Sequence, residues 1–108
     1  MKVTIDDEKL FEAFEDAISE WAFAYWGYIT ISYREAVRRI KEGKSFDVFD
    51  AEGDEEIATV TMETVEYGFE VLINKYPNRF ANIMSGNADI FDMDVLFQLC
   101  CFGDVIYG

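Results

Sequence analysis

Eight consecutive residues near the C-terminal end, Val95 to Phe102 (VLFQLCCF), are apolar nearly all round. A helix that is hydrophobic on every side is stable only when buried, so the rest of the chain has to wrap this one segment. With 108 residues, 51% of them hydrophobic, the chain makes one domain that buries roughly two-thirds of its unfolded surface. Ten Phe, six Tyr and two Trp against a single Pro argue against disorder, because such a composition buries enough apolar area to offset chain entropy.

The segments around that helix have their own signals. Val3 and Ile5 alternate with polar neighbours, as in a short strand, and Asp6 or Asp7 then offers an N-cap. Leu10, Phe11, Phe14, Ala17, Ile18 and Trp21 share a helical face that predicts a first helix ending near Phe23 to Tyr25, with a strand over Tyr28 to Ile31. Ser32 and Glu35 have the capping-box spacing for a second helix that Gly43 stops. Phe46 and Val48, then Ile57 and Thr59, alternate on either side of an acidic turn and predict a hairpin. Thr61 caps a third helix that Pro77 breaks; Phe80, Ile83 and Met84 continue as a separate helical turn, and Asp92 is the expected cap of the buried helix. The expected fold is α+β: one compact domain over 1–108, with a small antiparallel sheet (a hairpin at about 45–61 plus N-terminal strands) packed by three to five helices.

Charge is the second constraint. Nine basic residues against 22 acidic ones give −13, more than a small domain needs for solubility. This excess argues against direct nucleic-acid binding and against anionic membrane surfaces, both of which rest on Lys and Arg. The natural partner is a protein with a basic surface. The absence of His removes the usual general base and the usual zinc ligand, and no carboxylate spacing singles out a catalytic pair, so no catalytic residue is assigned and an enzyme is not expected. No cofactor is implied either. Cys100 and Cys101 are adjacent, too close for an unstrained framework disulfide and without metal spacing, and are expected to be buried, reduced thiols. With no signal-peptide pattern and no apolar stretch of about 18 residues, the expected location is the reducing cytoplasm.

Three charged constellations stand out. Glu8, Glu12, Asp16 and Glu20 fall at successive i, i+4 positions of the first helix, where a rise of about 1.5 Å per residue sets neighbouring carboxylates about 6 Å apart along the axis. That spacing resembles a strand of phosphates, and the bland alternative is a solvated face. A second acidic region spans residues 45–70, where nine acidic residues, among them Asp50, Glu52, Asp54, Glu55 and Glu56, meet no basic one. Its turn lacks the ligand order of a calcium loop, since Gly53 is fourth and Thr61 twelfth when Asp50 is first, and no metal site is assigned. Residues 33–44, by contrast, carry Arg34, Arg38, Arg39, Lys41 and Lys44 against Glu35 and Glu42. These cations either pair with the acidic elements around them, mediate self-association, or let Arg34, Arg38 and Arg39 grip a phosphate-bearing ligand. The aromatic run Trp21, Phe23, Tyr25, Trp26, Tyr28 has no interleaved basic residue, so core packing or a partner-facing anchor fits it better than base stacking.

The C-terminal half, with Thr61-Met-Glu-Thr-Val-Glu-Tyr-Gly68, Lys75-Tyr-Pro77 and the ending Asp92 through Phe102-Gly103-Asp-Val-Ile-Tyr107-Gly108, resembles a family of small acidic phage and prophage proteins of mostly unknown function. Such proteins finish with an apolar helix and a Phe-Gly-x-x-x-Tyr-Gly tail, and often carry a Tyr-Trp pair like Tyr25-Trp26. The Cys100-Cys101 pair departs from the small or aliphatic residues common there. The resemblance implies a phage or prophage origin, the cytoplasm of a bacterial host, and an accessory or counter-defence role in which the chain binds and inhibits a host protein; the acidic stripe supplies the surface for this, with DNA mimicry as one form of it. The alternatives are a binder or sponge for a phosphate-bearing nucleotide and a homo-oligomer with no ligand.

Overall fold

The computed structural model describes residues 5–108. The strand expected around Val3 falls outside them. The elements are α1 (Asp7–Ser19), β1 (Gly27–Tyr28), α2 (Tyr33–Lys41), β2 (Phe46–Asp50), β3 (Glu56–Val60), α3 (Met62–Lys75), α4 (Pro77–Met84) and α5 (Ile90–Phe102). The fold is α+β, with an antiparallel sheet of order β1-β2-β3.

The centre is α5. Every residue from Asp92 to Cys100 is buried, so this middle stretch of the helix is enclosed, as most of its apolar run demands. The Phe97 ring lies 4.4 Å from Phe23, 6.4 Å from Phe14 and 5.9 Å from Trp26, centroid to centroid. The post-α1 turn and the buried face of α1 therefore close over one side of α5. On another side α3 lies along it, and Gly68 makes this approach: a Cβ there would sit 2.7 Å from the Cys100 nitrogen and 2.8 Å from the Leu99 carbonyl carbon. The two backbones touch with no side chain between them.

Caps explain most boundaries. Asp6, Ser32 and Thr61 accept from the backbone N–H groups of Lys9, Glu35 and Thr64 and start α1, α2 and α3. For α5 the cap is Asp89, not Asp92; Asp92 stands three residues in, and its carboxylate accepts from the Asp89 N–H, closing a capping box with Asp89. At α2 the expected box is only half made, because the Glu35 carboxylate is drawn to Arg38 and Arg39 instead of its own N-terminus. Gly43 and Gly103 take the left-handed conformation just past α2 and α5.

Two expectations are corrected between α1 and α2. The first helix ends at Ser19 rather than near Phe23 to Tyr25, and the following strand is Gly27–Tyr28 rather than Tyr28 to Ile31. The break is at Trp21, whose φ of 55° is left-handed and stops the helix without a glycine. Residues 21–26 form turns instead, which buries Phe23 and Trp26 and leaves Trp21 and Tyr25 exposed. The hairpin is as expected, pairing Phe46 with Val60, Asp47 with Thr59 and Val48 with Ala58, with a bulge between Val48 and Phe49. Cys100 is buried and Cys101 only half-buried, both as free thiols, so the second thiol departs from the expectation of full burial. Burial raises the pKa of both.

Candidate functional site

Because α1 buries Leu10, Ala13, Phe14, Ala17 and Ile18 against the core, Glu8, Glu12, Asp16 and Glu20 are left on the solvent side, all four exposed. Among the described residues no ion pair reaches any of them. The two ends of the stripe differ. Near its start Lys41 of α2 lies with Glu8, Glu12 and Glu15 around a shallow depression, its Nζ 5.4 Å from the Phe11 ring centroid. Near its end α1 supplies no such cation: its last turn contains no basic residue, and Glu20 is the C-cap itself. Negative charge at a helix C-terminus opposes the backbone dipole, at a cost of about 0.3–1 kcal/mol per group. Partial burial raises the Asp16 carboxyl above its ordinary pKa, and repulsion from Glu12, Glu15 and Glu20 adds to the effect.

The hairpin region uses some of its carboxylates to shape the turn. Asp50 accepts from the Glu52 N–H at 2.9 Å, and Asp54, itself left-handed with φ 59°, accepts from the Tyr28 hydroxyl at 2.9 Å. Glu52, Glu55 and Glu56 are exposed, and the charge of Asp47 raises the Glu56 pKa. No set of three or more acidic or cysteine side chains among the described residues is arranged to hold a metal ion. Among them, too, no hydrogen bond or ion pair joins this turn to the α1 stripe.

Pairing of the basic segment is local. Arg38 bridges Glu35 and Glu42, Arg39 reaches Glu35 at 3.2 Å, and Lys44 reaches Glu42 at 3.3 Å. Hydrogen bonds from Arg38 and Arg39 hold the Glu35 carboxyl below its ordinary pKa. The partners are carboxylates of the same segment, not the acidic elements around it. Arg34 lies over the Tyr33 ring at 5.4 Å. A phosphate approaching Arg38 would have to displace two carboxylates already in place.

Sequence reasoning missed a polar cluster inside the apolar core. Asp94, 8% exposed, accepts from the Tyr25 hydroxyl at 2.7 Å, the Trp26 Nε1–H at 2.8 Å and the Gln98 amide at 3.2 Å. Gln98, fully buried, also accepts from the backbone N–H groups of Ile106 and Tyr107, both at 2.9 Å, and donates to the Tyr107 carbonyl. Trp26 stacks on Tyr107 with centroids 5.0 Å apart and planes within 8°. The Tyr-Trp pair and the C-terminal tail are therefore one unit, joined through α5. Its polar atoms are satisfied by one another, and it holds the loop and the tail in place. Burial and the hydrogen bond to Asp94 push the Tyr25 hydroxyl up to about 12.

Exposed apolar side chains lie along the same unit. Ile90 and Phe91 precede Asp94 by four and three residues, so both flank it on α5, and they are 55% and 67% exposed. Tyr25 lies across Asp94, and Ile106 follows on the tail. The sequence signal was present in the partner-facing alternative for the aromatic run, but the contribution of Ile90, Phe91 and Ile106 depends on tertiary placement. No helix among the described residues is long and apolar enough to cross a membrane. Comparison with protein-family models, with curated proteins and with solved structures finds no match to this chain.

Proposed function

We propose that the chain is a phage-encoded accessory protein, not an enzyme, that binds and inhibits a basic, nucleic-acid-acting protein of a bacterial host by presenting carboxylates where that protein receives phosphates. The observation that carries this reading is the C-terminal half of the α1 stripe: Asp16 and Glu20 stand exposed, in no ion pair among the described residues, at the helix end where their charge is least favourable. A merely solubilising charge gains nothing from being placed there. A local departure from what stability favours marks a position kept for another purpose.

The test is capture from a bacterial lysate by tagged protein at low salt and at about 0.5 M salt, where the screening length is a few Å, followed by a DNA-binding assay on what is retained. A basic nucleic-acid-binding protein, released at high salt and blocked from DNA by the wild-type chain, is the expected result. Glu12→Lys with Asp16→Lys should leave folding intact and lower the affinity at least tenfold. Unchanged affinity in that double variant would sink the proposal.

A further inference from the structure

Resting on that reading, we infer that the strip formed by Tyr25, Ile90, Phe91 and Ile106 is the apolar anchor of the same interface, and that it takes an amphipathic segment of the partner in which aliphatic or aromatic side chains are flanked by Lys or Arg. Isolated exposed apolar residues are ordinary on a protein surface, whereas a contiguous group is not. Here three of the four are set around one buried group, since Tyr25 donates to Asp94 and Ile90 and Phe91 flank Asp94 on α5; Asp94 accepts from Gln98, one turn further on, which holds the Ile106 backbone. Tyr25, held by its hydrogen bond to Asp94, loses little side-chain freedom on binding, which is the character of interface hot spots.

The charge around the strip identifies its occupant. Glu20, the last residue of the α1 stripe, lines a depression together with Ile90 and Met93, so the stripe runs directly into the strip. Asp89 precedes Ile90, and exposed Asp104 stands two residues before Ile106. Two cations, Lys75 and Arg79, share a depression with Asp89, and Arg79 is paired with Asp92 at 2.7 Å. A second copy of the chain would set these carboxylates against their own kind, with −13 on each molecule. A segment that alternates apolar and basic residues matches both the strip and its rim.

The probe is a fluorescent helical peptide about 18 residues long, spanning about 27 Å, with Leu at i, i+3, i+4 and i+7 and Lys elsewhere, compared with a scramble of identical composition. Wild-type protein is expected to bind the patterned peptide at least tenfold more tightly than the scramble, with amide shift changes centred on Phe91 and Ile106. Phe91→Ser, at a 67% exposed position, should erase this preference while leaving binding of the scramble intact; Ile106→Ser serves as a second variant on a different element. Glu12→Lys with Asp16→Lys should weaken both peptides equally and preserve the preference. If this reversal weakens neither peptide, the acidic reading fails. Equal affinity for the two peptides, or a preference that survives both Ser variants, overturns the anchor alone. So does a dimer that Phe91→Ser dissociates, because the occupant is then a second copy.

Discussion

Replacing Asp94 by Ala tests whether the buried polar unit holds the fold. The substitution removes the acceptor of three donors with unequal prospects. The Tyr25 hydroxyl belongs to a side chain that is 56% exposed and can turn to water, and the Gln98 amide keeps the Tyr107 carbonyl. The Trp26 Nε1–H has neither option, since Trp26 is 3% exposed and its ring is held between Phe97 and Tyr107. An orphaned buried donor costs about 1–3 kcal/mol, and the lost hydrogen bond from Tyr25 adds about 1 kcal/mol. Relief of the desolvation of a carboxylate offsets part of this. The expected net loss is about 2–3 kcal/mol, or a fall in Tm of about 10–20 °C for a domain of this size. Guanidinium unfolding followed by far-ultraviolet circular dichroism measures it. Tyr25→Phe should cost about 1 kcal/mol, and in a Trp26→Phe background, which has no indole donor, Asp94→Ala should cost at least about 1 kcal/mol less. A loss under about 0.5 kcal/mol, or one independent of the indole, would refute the assignment of the cost to Trp26.

Three further outcomes are expected. Gly68→Ala drives a methyl group into the backbone of Leu99 and Cys100, so thermal unfolding should show a loss of about 3 kcal/mol or more. Asp16→Asn and Glu20→Gln should each stabilise the protein at neutral pH by about 0.3–1 kcal/mol. For Asp16 the raised pKa gives the sign: the cost belongs to the charged form, is present at neutral pH and is relieved as pH falls through the folded-state value. Alkaline titration at the phenolate absorbance band should show one tyrosine ionising only near pH 12, a step that Tyr25→Phe removes. The stability this hydroxyl contributes is fully present below its unfolded value near 10 and is lost as pH rises toward 12.

What was legible in the sequence was local. Asp6, Ser32 and Thr61 announce their helices because a cap needs only a short polar side chain and the next three residues. The acidic face of α1 follows from 3.6-residue periodicity for the same reason. Asp92 was misplaced by three residues because Asp89 and Asp92 have the same chemistry, and either could begin a helix until Arg79 and Asn82 claim Asp92 from α4. The early end of α1 was hidden by Trp21, a bulky residue in a conformation that sequence reasoning reserves for Gly, Asn and Asp. The Asp94 and Gln98 unit was illegible because its partners are far away in sequence: Tyr25 and Trp26 are separated from Asp94 by 69 and 68 positions. Nothing within α5 itself distinguishes a buried Gln from an interruption of the apolar run. The role of Gly68 was hidden likewise, since a glycine in mid-helix shows its purpose only once the other backbone lies against it.

The bulged hairpin also bears on how the molecule behaves in a crowd. β3 is one of the two outer strands of the sheet, and among the described residues only β2 pairs with it; such an edge invites a neighbouring molecule to add a strand of its own. Glu56 at its start and Asp47 on the adjoining strand repel each other strongly enough to raise the Glu56 pKa, and any strand that docked there would bring the same charges with it. The sheet thus carries its own guard against stacking into fibrils. The guard is electrostatic, so it weakens as the medium approaches the isoelectric point near 4.1, with Glu56 taking up protons ahead of an ordinary glutamate.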